Sequence, residues 1–135
     1  MIPDVCRTWQ SWVMHRQILA AFAFAFAVAT GPALAKAPVV VDAQAQPGAT
    51  GWTISVTLSH PDSGWDHYAS GWEVLAPDGA RLGYRELAHP HVDEQPFTRS
   101  LSGVELPDGI DHVLIRPRCT LDGWAASPTR LDLKR

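Results

Sequence analysis

Cysteine is nearly absent from this sequence. Two occur in 135 residues, Cys6 and Cys119. No C-x-x-C pair and no H-E-x-x-H run is present, so the usual zinc frameworks are excluded. No G-x-S-x-G elbow or other nucleophile signature is present either, and we expect no enzyme. Charge of one sign is also lacking. Eleven Lys and Arg face fourteen Asp and Glu, for a net charge of −3. Such a chain is a poor ligand for nucleic acid or for an anionic lipid surface, and neither is expected as a partner. Long apolar runs are missing too. The run Ile18 to Val28 has 11 residues, against roughly 20 for a helix that spans a bilayer.

That short run has a different reading. His15 and Arg16 precede it, Gly31-Pro32 breaks it, and Ala33-Leu34-Ala35 follows. A basic start, an apolar centre and a small-x-small end form a secretory signal of Sec type. We expect residues 1–35 to be that signal, with Met14 a possible true start. Residues 36–135 then form the exported domain, periplasmic or secreted, with no membrane anchor after cleavage. Its net charge would be −4, and Cys119 would be its lone thiol. An exported domain without a disulfide must be held by its core. Cys119 is then a buried apolar filler, a reactive thiol, a metal ligand or a dimer bridge.

What the rest of the chain contains is period-two patterning. In Gly51–His60, Trp52, Ile54, Val56, Leu58 and His60 share one face; Thr53, Ser55, Thr57 and Ser59 share the other. Further strands are expected at 38–42, 71–76, 81–87, 97–102, 112–119 and 127–133. Turn chemistry separates them, with Pro77-Asp78-Gly79 and Pro107-Asp108-Gly109 as the clearest cases. About seven short strands in some hundred residues, with no helix signature, predict a single all-β sandwich of immunoglobulin or fibronectin-III type. Pro117 is expected at an edge or a bulge, because proline cannot donate to a ladder.

Chemistry-bearing residues gather in two connections, Ser59–Ser70 and His89–Pro96. These hold His60, His67, His89 and His91. Pro90 presets an extended segment. His89 and His91 should therefore lean to one side, about 6.6 Å apart along the chain. Two imidazoles so placed can ligate one ion, and copper or zinc suits imidazole. We expect a copper or zinc site with His89 and His91 as primary ligands and His60 or His67 completing it. Asp93 and Glu94 would orient ring N–H groups, and Asp66 would orient His67. The competing expectation is an interaction module. In it Trp65 and Tyr68 form an exposed platform for an envelope protein or a glycan, unless Trp65 instead covers the core end.

The stretches SGWDHYASGWEV (63–74), Leu82-Gly83 and HPHVDEQPFTRSL (89–101) resemble an uncharacterised family of small exported proteobacterial proteins. The resemblance covers about half of residues 36–135. It implies a shared fold and an exported location, and it marks the two connections already singled out.

Overall fold

The computed structural model describes residues 36–134. The expected signal segment and the Met14 start lie outside the described residues. Eight strands run in the order β1 (Val39–Gly48), β2 (Gly51–Ser59), β3 (Ala69–Leu75), β4 (Arg81–Glu86), β5 (Phe97–Val104), β6 (His112–Cys119), β7 (Gly123–Trp124) and β8 (Thr129–Asp132). All pairings are antiparallel. One sheet has the order β1-β2-β5. The other has the order β4-β3-β6-β7, with β8 also paired to β6. The expected all-β sandwich is therefore present, with one strand more than the turn count predicted.

Alternation accounts for the core. Ile54, Val56 and Leu58 of β2 point inward against Trp72 and Val74 of β3 and Val113 and Ile115 of β6, and all are essentially free of solvent. Burying a side chain of this size contributes about 1.5–3 kcal/mol relative to exposure. On the outer face of the smaller sheet the alternate residues form hydroxyl pairs across β2 and β5. These are Thr53 with Ser102, Ser55 with Ser100 and Thr57 with Thr98. A one-residue slip would drive those hydroxyls into the core, so the pattern locks the register.

Three details differ from the sequence expectation. The first strand runs on to Gly48, so the turn shrinks to Ala49-Thr50 between paired Gly48 and Gly51. Gly51 has φ +110°, and a Cβ there would lie 3.0 Å from backbone atoms of Gly103 and Val104. The second concerns Pro117, which sits in central β6 and not at an edge. Its carbonyl accepts from Ala125 N at 2.9 Å, so its nitrogen faces that same side. There β6 changes partner, from β8 up to Ile115 to β7 from Arg118. The missing N–H falls where the ladder is interrupted anyway. Third, the strand positions of Arg81, Arg85, Arg116 and Arg118 predict solvated faces, and three of the four are instead organised. Buried Glu73 accepts from Arg81 and Arg116 Nε, each at 2.6 Å. Guanidiniums of Arg81, Arg116 and Arg118 lie 5.1–5.7 Å from the Trp124 ring.

Candidate metal centre

Strand periodicity carries two donors into the interior at the same end of the sandwich. Continuing the inward row of β2 past Leu58 places His60 on the core side, where it is 2% exposed. The inward row of β6 runs Val113, Ile115, Pro117, Cys119, and Cys119 is fully buried. Cys119 pairs in register with Ala69, the first residue of β3. The chain between His60 and Ala69 therefore has to turn beside Cys119. It does so in a tight loop, with His67 N donating to Gly64 O and Ser63 N to His67 O. Thr120 ties this loop to the turn after β6. Its N–H donates to Tyr68 O, while its hydroxyl accepts from Tyr68 N and donates to Asp66 O.

The result is a cluster of His60, His67 and Cys119, with one donor atom from each lying within 4.8 Å of the others. The two imidazoles meet edge to face, with ring centroids 4.7 Å apart. Asp62 determines which His60 nitrogen is available. Its carboxylate is buried and accepts from His60 Nδ1 at 2.5 Å, Ala69 N at 2.9 Å and His91 N at 2.7 Å. Nδ1 is thereby the donating nitrogen and Nε2 is the one left for a ligand, the arrangement that orients a ligand histidine. His60 Nε2 and His67 Nε2 are both buried and make no hydrogen bond. Buried polar atoms are normally hydrogen-bonded, and two such nitrogens on residues beside a thiol are donors of the kind a transition-metal ion takes. Burial pushes the Cys119 thiol above its ordinary value, so the metal-free side chain is protonated at neutral pH. Leu121 N and Asp122 N donate to Sγ at 3.3 and 3.4 Å, and the thiol reaches Asp122 Oδ2 at 3.3 Å.

The residues expected from sequence fall into several places. His60 and His67 are in the cluster. His91 is buried, but its ring stacks on Phe97 at 3.8 Å and its Nε2 takes a hydrogen bond from Arg99 at 3.0 Å. Burial first, then the Arg99 charge, holds its pKa below the ordinary imidazole value. It touches the cluster only through Asp62, to which its backbone N–H donates. His89 lies over His91 with centroids 4.5 Å apart and bonds Pro90 O, outside the cluster. Glu94 pairs with Arg99 at 3.1 Å, which lowers its pKa, and Asp93 is exposed. Asp66 contributes its backbone carbonyl to Thr120; the carboxylate near His67 belongs to Asp122, at 3.8 Å. Trp65 is 69% exposed and meets Tyr68 edge to face at 5.8 Å, so it does not cover the core. Sequence reasoning missed Asp62 and Asp122, and left Cys119 among several roles. The available signal was its inward parity on the sixth strand.

Comparison with known proteins gives a narrow result. No family model matches, and no solved structure matches. A protein of Halomicrobium mukohataei named "Putative lipoprotein" is 42% identical over 78 residues, 58% of this chain. The match spans 38% of that protein's own length.

Proposed function

We propose that this is an exported cell-envelope domain that binds one transition-metal ion, copper or zinc, through His60, His67 and Cys119 without catalysing a reaction. One observation carries the reading: His60, His67 and buried Cys119 each bring a donor atom within 4.8 Å of the others, and the Nε2 atoms of both histidines are buried without a hydrogen bond. Two imidazoles and a thiolate suit copper and zinc. The relative named as a lipoprotein supports a place in the cell envelope. His89 and His91 then support the site from behind Asp62 and do not bind the ion.

Titration of the purified protein with Cu(II), Zn(II) and Co(II) tests this. One ion per chain is expected, with a sulfur-to-metal charge-transfer band for copper and cobalt. Cys119→Ser should remove the band, and His60→Ala should remove tight binding. His89→Ala should change neither. Retention of full binding in both Cys119→Ser and His60→Ala would refute the site.

A second reading rests on the exposed Trp65–Tyr68 pair, which offers an aromatic platform to an envelope protein or a glycan. Loss of a pulled-down envelope partner or of glycan retention in Trp65→Ala, with metal binding intact, would support it.

A further inference from the structure

The turn after β6 holds a carboxylate that the three-residue cluster does not use. Asp122 Oδ2 stands 3.3 Å from Cys119 Sγ and 3.8 Å from His67 Nε2. In a tetrahedral centre with metal–sulfur, metal–nitrogen and metal–oxygen bonds of about 2.3, 2.0 and 2.0 Å, donor atoms lie about 3.3–3.5 Å apart. The carboxylate is already within half an ångström of both edges. His60, grouped with the same His67 and Cys119 inside 4.8 Å, supplies the independent sign of a ligand, a buried Nε2 with no hydrogen-bond partner.

Resting on the metal-binding reading above, we infer that Asp122 is the fourth ligand, and that the site is a closed centre of two imidazoles, one thiolate and one carboxylate for a divalent ion. Charge points the same way. Thiolate and carboxylate together neutralise a 2+ ion held by two neutral imidazoles, and a buried centre with no net charge avoids the cost of desolvating one. The neighbouring Asp62 charge is separately compensated by its three N–H donors. A monovalent ion in the same four-ligand set would leave a net negative charge. The set therefore selects divalent over monovalent ions.

The ligands also differ in access. His60 side-chain exposure is 0%, whereas His67 and Asp122 are 22% and 28% exposed. His60 and Cys119 are anchored on the inward rows of two strands, and Asp122 sits on the turn Thr120–Asp122. His67 and Asp122 accordingly form the solvent side of the site, and the ion enters and leaves there. On loading, the ion displaces the thiol proton to solvent, and the thiolate that remains is a ligand.

Co(II) is the probe, used with the whole protein. Wild type should give intense visible d–d bands of a four-coordinate ion and a near-ultraviolet sulfur charge-transfer band. Asp122→Asn removes the anionic donor and keeps the shape. It should weaken Co(II) and Zn(II) binding about 10-fold or more and dim the d–d bands as water enters, while the charge-transfer band persists because Cys119 still binds. Asp122→Ser gives the same test if Asn disturbs the turn. Asp66→Asn, on the adjoining loop, should leave both spectra unchanged. Asp122 variants with affinity within twofold of wild type and unchanged d–d intensity overturn this inference and leave the three-ligand site standing. Wild type that binds no Co(II) overturns both.

Discussion

Replacing Asp62 by Asn should damage stability and metal affinity together, and the size of each effect follows from the bonds. Oδ1 of the buried carboxylate accepts from His60 Nδ1 and Ala69 N, and Oδ2 accepts from His91 N. An asparagine can keep its oxygen toward the first pair. Its NH2 then faces the His91 N–H, donor against donor. Leaving that buried N–H unsatisfied costs about 1–3 kcal/mol, and the two surviving bonds lose their charge assistance, about 1 kcal/mol each. Relief from burying a charge offsets part of this, leaving a net loss of about 2–4 kcal/mol. For a domain of some hundred residues that corresponds to a Tm lower by about 10–20 °C. His60 would then donate to a neutral oxygen in place of a carboxylate, which makes its Nε2 a weaker ligand, and metal affinity should fall about 10- to 100-fold. Thermal unfolding by circular dichroism and Zn(II) competition titration read the two effects, with exposed Asp93→Asn as control. A variant that melts within about 3 °C of wild type and binds zinc equally would refute the assigned role of Asp62.

Gly51→Ala should cost about 1–3 kcal/mol in urea unfolding, since φ +110° strains any L side chain and a Cβ would press on Gly103 and Val104; an unchanged midpoint would contradict the tight β1–β2 turn. His91 is held below its ordinary value of 6.5 by burial and Arg99, so the unfolded chain binds the extra proton first. Its contribution is complete above that ordinary value and declines as pH falls through it toward the folded value. Urea midpoints from pH 7.5 down to 5 should therefore drop, and less steeply in His91→Gln; parallel profiles would dismiss the effect. Cys119 is buried with its thiol pKa raised, so iodoacetamide should modify the native metal-free protein at least about 10-fold more slowly than the urea-unfolded chain; equal rates would show an open thiol.

Much of the architecture is legible in the residues because strand parity is a local property. Trp52 to His60 already states which side chains share a face, and Val113, Ile115 and Cys119 do the same on the sixth strand. Turn chemistry at Pro77-Asp78-Gly79 likewise marks the β3–β4 hairpin. The short β7 was not legible, since Gly123-Trp124 has no pattern of its own and pairs only because β6 lies beside it. Pro117 was misplaced for a related reason. Whether a missing N–H matters depends on which neighbour stands opposite, and that neighbour changes at this residue.

The candidate site shows the same division. His-Pro-His looked like a chelate because spacing along a chain is visible in sequence. The structure stacks His91 on Phe97 and gives its Nε2 to Arg99, both contacts made by the returning strand β5. Asp62 carries no sequence signal of its own, yet it is the buried acceptor that joins His60, β3 and the His91 segment.

By itself the sequence determined the alternation of its strands, hence the sandwich and the inward parity of His60 and Cys119. Each depends on neighbours one or two residues away. Only the tertiary structure decided that those two residues, 59 positions apart, end at the same height of the sandwich, with His67 and Asp122 folded over them. That outcome depends on pairing register between β3 and β6 and on the Thr120 hydrogen bonds that join two loops, and no local pattern encodes the distance between them.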